Sequence, residues 1–383
     1  MRRDRAKRKV KQPLVIDMFT GVGGLSLGAA RAGMSVIGGI DNNPMSLETH
    51  AFNFPATHHF EAEVERLSGG DLLRNLGLRR YDLDGLIGGP PCQGFSEIGH
   101  RSKDDPRNLL FDHFFRLVAE IRPKFFVVEN VPGILAARYE GIREAAFARL
   151  PKCYEVAKPL TVKANDLGAP TSRTRVFFIG ADTGRMPSLR DLPIRTLIGD
   201  QVTVGQALIG LPAVRSAWQD DLRSWRLVGD TPRDSFFRRI RGHIPPGVGN
   251  EVALYFHRRE RLTSGCLGTQ HTRATVKRFS RLRPGEVDPV SGATRLDSKG
   301  LCPTIRAGTG PERGSYQAVR PIHPRSPRVI TPREAARLQG FPDWFVFHPT
   351  KWHSFRQIGN SVSPIVAEAI LKAINDLLTD RRV

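Results

Sequence analysis

The sequence predicts an α/β protein: a doubly wound, mostly parallel sheet with a second, smaller and irregular domain. Three observations carry that expectation. Residues 14–41 run through an apolar stretch, a glycine-rich turn, a helical stretch and a second apolar stretch ending in Asp41. A short apolar run, Gly85-Leu86-Ile87, stops at two glycines and two prolines. After about residue 186 regular periodicity weakens until about residue 300, and it returns before the C-terminus. A chain of 383 residues is long enough for two domains, or for one large domain carrying an insertion.

Leu14 to Asp17 reads as the first strand, and Met18 to Gly28 (MFTGVGGLSLG) as a glycine turn entering a helix. Ser35 to Asp41 is the next strand. Such a unit suits a nucleotide-like ligand. Its glycines admit the ligand to the backbone, the helix start offers free N–H groups, and the acid ending the second strand accepts from ribose hydroxyls. The spacing Gly21-x-Gly23-Gly24 departs from the G-x-G-x-x-G of dinucleotide sites.

The run at 85–87 reads as a buried strand. Pro90 and Pro91 stiffen the turn after it, which holds the thiol of Cys92 at the carboxyl end of a strand, where open α/β sheets place ligands. Ser96 to Leu110 is polar with little periodicity and is expected to be a loop, carrying Arg101, Lys103 and Arg107. Phe111 to Ile121 is apolar at helical spacing. Phe125 to Val128 is then a strand ending in Glu129-Asn130-Val131. A carboxylate at the end of a core strand is expensive unless paired or used. Further on, Gly168 to Arg175 leads into a strand from Val176 to Gly180.

The charge balance singles the chain out. Fifty-eight Lys and Arg against 38 Asp and Glu give a net charge of +20, which calls for a polyanionic partner, nucleic acid first. Between Asp221 and Val290, 14 basic residues face 7 acidic ones, interleaved with Trp225, Phe236, Phe237, Tyr255, Phe256 and Phe279. Basic residues among aromatics suit phosphate and base contacts, while the aromatics equally suit a small domain's own core. The N-terminal MRRDRAKRKVK reads as a solvated tail or an auxiliary DNA contact, without the apolar core of a signal peptide. No apolar run approaches the roughly 20 residues of a membrane span. Cys92, Cys153, Cys266 and Cys302 form no CxxC pair, so no metal site or disulfide framework is expected. A reducing, cytoplasmic setting fits. Order returns at Thr331-Pro332-Arg333-Glu334, a helix start with a capping Thr and Glu at the third position. Gln357 to Val362 leads into a last helix with Ser363 as cap, Pro364 at its first position and a core-facing stripe from Ile365 to Leu378.

The string PPCQGFS resembles the catalytic loop of the cytosine-C5 DNA methyltransferases, of the bacterial modification type. Phe19-x-Gly21-x-Gly23-Gly24 resembles the S-adenosylmethionine loop of the same family, and Glu129-Asn130-Val131 its cytosine-holding tripeptide. Arg173 and Arg175 match a Gln-x-Arg-x-Arg block in which Thr171 stands where Gln is usual. TPREAARLQGFP and QIGNSV match the last two blocks. The matches extend from about residue 14 to 378 in the family's order, with only the middle unmatched.

That resemblance implies a class I S-adenosylmethionine-dependent, Rossmann-like catalytic domain at residues 1–185, completed by 345–383, around a target-recognition domain at 186–344. It implies Cys92 as the nucleophile at cytosine C6, Glu129 on N3 and the exocyclic amine, and Arg175 with Arg173 supporting the base. For the cofactor it implies Phe19 against the adenine and Thr20, Gly21, Gly23, Gly24 and Leu25 in the turn. Asp41 and Asn42 fall at the ribose, with Pro91, Asn360 and Ser361 closing the pocket. Glu63 falls near the adenine amine or is a surface carboxylate. The partner is double-stranded DNA with the target base flipped out, with Arg238, Arg239 and Arg241 expected on phosphates. A monomeric, nucleoid-associated enzyme of a restriction-modification system follows; a cognate endonuclease is not inferable from this chain. Two other readings compete. An RNA cytosine methyltransferase on the same scaffold would be expected to lack the long basic insert between Gly180 and Thr331. An inert DNA-binding relic would not keep Cys92, Glu129 and Arg175 together.

Overall fold

A computed structural model describes residues 12–91, 108–192, 199–214, 225–308 and 320–379. The first half lays down β1 (Leu14–Met18), α1 (Gly24–Arg31), β2 (Ser35–Asp41), α2 (Pro44–Asn53), β3 (His58–Glu61), α3 (Gly69–Asn75), β4 (Gly85–Gly88), α4 (Asn108–Ile121) and β5 (Phe125–Asn130). These five strands are mutually parallel. After α5 (Glu140–Ala148) come β6 (Tyr154–Val156), β7 (Leu160–Lys163) and β8 (Thr174–Asp182). β8 runs antiparallel to β5, and β6 and β7 pair along its other edge. The strand order is β3-β2-β1-β4-β5-β8-β6, the doubly wound, mostly parallel sheet expected from the sequence. β4 and β5 are buried along their whole length, as strands covered on both faces must be.

The order reverses beside β1. β2 and β3 lie to one side of it and β4 and β5 to the other, with Met18 paired to Gly88 at the carboxyl ends. The loops after β1 and β4 therefore open into one crevice, the usual ligand position in such sheets.

One face of the sheet is covered by α3, α4 and α5. Phe111, Phe114 and Phe115 of α4 meet Phe126 and Phe178 edge to face, with ring centroids 5.3–6.4 Å apart. Truncating one such ring to Ala costs about 3–5 kcal/mol. On the other face lie α1 and the last helix. Beyond β8 the chain forms α6 (Val204–Ala207), β9 (Arg226–Leu227), α7 (Ser235–Phe237), α8 (Glu251–Arg258), β10 (Leu262–Thr263) and α9 (Arg273–Arg281). It then returns to the sheet through α10 (Pro332–Leu338), α11 (Lys351–Asn360) and α12 (Pro364–Thr379). Phe341, Trp344, Phe345 and Phe347 share one hydrophobic cluster with α1, α12, Phe236, Phe237 and Ile240.

Several boundaries differ from the sequence expectation, each for a local reason. α4 begins at Asn108, inside the stretch expected as loop, and the rest of that loop lies outside the described residues. β5 runs on through Asn130 because β8 pairs with it as far as Val176. Gln357 to Asn360, expected only to lead into the last helix, form the last turn of α11. The helix start at Thr331 is as expected, with Thr331 and Glu334 capping each other's backbone N–H. Among the described residues no helix is long and apolar enough to cross a membrane.

Candidate active site

β1 ends in a turn that only glycines could complete. Phe19 has a left-handed backbone, φ 56°, followed by Gly21 at 54° and Gly23 at 95°. A non-glycine residue there is strained by about 1–3 kcal/mol and persists only where its surroundings fix it. Here Thr20 N donates to Ile40 O at 2.9 Å, and Gly21 N donates to Asp41 Oδ2 at 2.8 Å. The other oxygen of Asp41 accepts from Asn43 N at 2.8 Å. Burial raises the pKa of Asp41, and these backbone bonds oppose the rise. The acid at the end of β2 is thus held in place by the turn and by the residues after it, with Asn42 between.

A side chain at Gly23 would come within 2.4 Å of Phe54 and 2.8 Å of His50. One at Gly24 would lie 2.2 Å from both Ser361 Oγ and Val362 O. The final sequence block is therefore pressed directly onto the first. Gly21 has open space where its side chain would be, and Gly23, the residue before α1, provides no side-chain cap. Thr20 and Leu25 are buried beneath the turn. Asn360, at the end of α11, is exposed, whereas Ser361 is buried. Open space, uncapped N–H groups and a fixed carboxylate fit a nucleoside-bearing cofactor such as S-adenosylmethionine. Glu63 is exposed and pairs with Arg66 at 3.2 Å, the surface arrangement weighed from the sequence.

The second half of the site gathers at the carboxyl ends of β4 and β5. Glu129 lies opposite Phe177 on β8, so Arg175, two residues earlier, falls on the same sheet face as its diagonal neighbour. Arg175 Nε reaches Glu129 Oε1 at 2.6 Å, with both side chains largely buried. A side chain at Gly89 would come 3.1 Å from Glu129 Oε2, so the carboxylate overlies the start of the proline turn. Asn130 Nδ2 donates to Pro90 O at 3.4 Å and ties the turn to β5. Pro91 is exposed at the last described position before Cys92. Cys92, Arg101, Lys103 and Arg107 lie outside the described residues.

Three expectations change here. Arg173 does not face Glu129: it is buried and donates to Gly359 O at 2.9 Å and Ile305 O at 3.4 Å, bridging β8 to α11. Thr171, where the block usually has Gln, could take over its contact only through the shorter hydroxyl. It is fully buried, its backbone forms a bridge to Cys302, and its Oγ1 has no partner among the described residues. Arg239 turns to Glu368 of α12 at 3.6 Å, and Arg241 donates to Gly229 O and Thr231 Oγ1 at 3.2 Å. Both brace the fold where phosphate contacts were expected, and only Arg238 of that trio is exposed.

Residues 14–376 match the family model of the C-5 cytosine-specific DNA methylases. The chain belongs to that family. It is 40% identical to the type II methyltransferase M.XorII of Xanthomonas oryzae, over 94% of this chain and 84% of that protein. It is 36% identical to the type II methyltransferase M.NgoPII of Neisseria gonorrhoeae, over 95% and 96%. Among solved structures, an E. coli prophage protein described as a DNA modification methyltransferase superposes with a TM-score of 0.86 at 47% identity, covering 96% of this chain and all of that one. The Schizosaccharomyces pombe Dnmt2 methyltransferase shares the fold at a TM-score of 0.58 and 15% identity, over 96% and 98%. As a C-5 cytosine methylase the chain is a DNA methyltransferase, and the inert-relic and RNA readings give way to it.

Sequence reasoning missed one group of residues in this methylase. Asp17, fully buried, accepts from Ser26 Oγ at 2.6 Å and Thr20 Oγ1 at 3.2 Å. Ser26 Oγ lies 3.0 Å from His50 Nε2, and His50 Nδ1 lies 2.8 Å from His59 Nε2. A hydrogen-bonded chain thus runs from β1, beneath the glycine turn, to the edge strand β3. Burial pushes the Asp17 carboxyl up to about 7, and burial, then His59, holds His50 well below the usual histidine range. Nothing in the linear pattern joins residues 17, 26, 50 and 59. Only the crossing of α1 and α2 over the sheet does.

Proposed function

We propose that this methylase modifies cytosine in duplex DNA through a covalent adduct formed by Cys92, with the pair Glu129–Arg175 holding the flipped base. Cytosine C5 is too weak a nucleophile to take a methyl group unaided. Addition of the Cys92 thiolate at C6 turns the ring into an enamine whose C5 can attack. After methyl transfer the C5 proton leaves and the C6–S bond breaks, restoring ring and thiolate. The observation that carries the reading is the 2.6 Å Arg175–Glu129 contact beside the proline turn. An oriented carboxylate there can accept from the exocyclic amine and serve N3, and the guanidinium can meet O2. Both counter charge that develops during addition, in a site with little water to screen it. S-adenosylmethionine, when bound, supplies the electrophilic methyl. The turn from Phe19 to Leu25, Asp41 and Asn42 would hold its nucleoside, with Asn360 and Ser361 alongside. Arg173 acts at one remove, fixing Gly359 and hence the last block.

We infer the same division of labour along the chain. Residues 1–185 and 345–383 would carry the chemistry, and 186–344 the recognition of base edges in the major groove. A type II modification enzyme, monomeric and cytoplasmic, fits this reading. Its test is mechanism-based trapping. A duplex carrying 5-fluorocytosine at the target cannot lose a proton from C5, so wild-type protein with S-adenosylmethionine should give an adduct stable to denaturing electrophoresis. Cys92→Ala should give none. An adduct of undiminished yield in that variant overturns the assignment.

A further inference from the structure

Helix α9 carries four basic residues and no acid within nine positions, Arg273-Ala-Thr-Val-Lys277-Arg278-Phe279-Ser-Arg281. The four divide by role. Arg278 turns inward to Asp288, Nε to Oδ1 at 2.6 Å, and Asp288 is itself fully buried and held by Ser291. Phe279 is buried with Ala293 and Ile322, packed against Leu282 and Val329. Arg295 closes the far end, its Nη1 donating to Phe279 O at 3.1 Å and Leu282 O at 2.9 Å. The helix is thereby clamped at its middle and its end, and cannot roll.

What the clamp leaves facing water is a row. Arg273, Lys277 and Arg281 are exposed, and their side chains make no hydrogen bond or ion pair with any described residue. Their spacing of four residues places them on one face, about 6 Å apart and about 12 Å from first to last. Three unpaired like charges in a row repel one another. Arg273 also sits at the first helical position, with no acid in the first turn, where the helix dipole disfavours a cation. The sequence accepts both costs at the same helix, so the row is matched to something outside the chain.

We propose that this face of α9 is a contact for the phosphate backbone of one DNA strand, taking three phosphates along the duplex. This rests on the methylase reading and deepens it by naming the surface that grips DNA in place of Arg239 and Arg241. One strand presents a phosphate every 3.4 Å of helix axis, so a row of about 12 Å spans three of them. Such contacts set register and orientation without reading bases.

The experiment is fluorescence anisotropy of a labelled mixed-sequence duplex against full-length protein, from 50 to 200 mM NaCl. The test variant is Arg273→Gln/Lys277→Gln/Arg281→Gln. A charge-matched control is Arg66→Gln/Arg74→Gln/Arg79→Gln, three exposed arginines already paired to Glu63, Asp71 and Asp82. Each lost phosphate contact should flatten the slope of log K against log salt by about 0.9, hence by about 2.7 in all. Over this salt range the wild-type advantage should therefore shrink about 40-fold, while S-adenosylmethionine affinity stays at the wild-type value. A slope within about 0.5 of wild type, or an equal change in the control, overturns the assignment of α9 while leaving the methylase reading standing. Wild-type protein that neither binds duplex nor methylates it overturns that reading itself, and this inference with it.

Discussion

Asp17 offers a measurable consequence of burying a carboxyl under the glycine turn. Burial is the main cause of its rise to about 7; the bonds from Ser26 and Thr20 oppose it, and Asp41 adds to it. In the unfolded chain the same group titrates near 3.9, about three units lower. The folded state therefore holds the Asp17 proton more tightly than the unfolded state between those two values. Its contribution to stability is complete below about pH 4 and is lost as pH rises through about 7. At 1.36 kcal/mol per unit the whole effect is about 4 kcal/mol, of which about 2.5 kcal/mol falls between pH 5 and pH 8. The buried histidines work in the opposite sense: His50 is held below its usual range and favours folding as pH rises towards 6.5. Wild type alone would blur the two. Asp17→Asn keeps the side chain's shape, removes the titration and leaves the histidines present in both proteins. Urea unfolding of cofactor-free protein at half-unit steps from pH 5 to 8 should show wild type gaining about 2.5 kcal/mol on the variant towards the acid end. A difference that stays flat within about 0.5 kcal/mol would mean that Asp17 is ionised in the fold and that the reasoning is wrong.

Two further outcomes follow from the same geometry. Gly24→Ala places a methyl 2.2 Å from Ser361 Oγ and Val362 O; it should cost about 1–3 kcal/mol by overpacking and weaken S-adenosylmethionine binding, both read by calorimetry. Arg175→Ala removes the partner of Glu129 and should slow single-turnover methylation by about 100-fold or more, whereas Thr171→Val, which deletes a hydroxyl that has no partner among the described residues, should stay within about threefold. The reverse order of those two rates would show that Thr171 carries the contact assigned to Arg175.

The elements legible in the sequence were those whose cause is local. The strand-turn-helix at 14–31, the capped start at Thr331 and the helix at Pro364 all declare themselves through glycine, proline and cap spacing. Glu129 was legible too, because a carboxylate ending an apolar strand asks for a reason. The illegible parts depend on partners far along the chain. Arg173 and Arg175 look equivalent in sequence, yet Arg175, inside β8, meets Glu129, while Arg173, just before the strand begins, reaches Gly359. Arg239 and Arg241 look like surface charge until α12 and the loop at Gly229 come alongside them. α9 was hidden inside a basic stretch whose charge density is clear but whose periodic face is exposed only by the clamp on Arg278 and Phe279.

The way the middle of the chain is fastened explains how one scaffold can carry an irregular insert without losing its active site. Four buried arginines do the fastening, Arg173 just before β8 and three in or just before α10, and most of their bonds go to backbone carbonyls. Arg173 takes Gly359 O and Ile305 O. Arg333 takes Ser264 O and Pro342 O, while Arg337 holds Ala207 O and Ile209 O and pairs with Asp343 at 2.7 Å. Arg328 reaches Val214 O and is pinned by Glu334 through two bonds. A carbonyl is present whatever the residue, so these contacts constrain the path of the insert and leave its side chains free. Guanidinium suits the task because it spreads up to five donors in a plane and stays charged when buried. The cost is the desolvation of each arginine, offset by the paired carboxylates Asp343 and Glu334. In this fold, then, the rigidity that keeps Gly24 against Ser361 and Glu129 beside Arg175 does not depend on which side chains the insert carries. The insert's side chains can change while the frame around Glu129 and Arg175 stays the same.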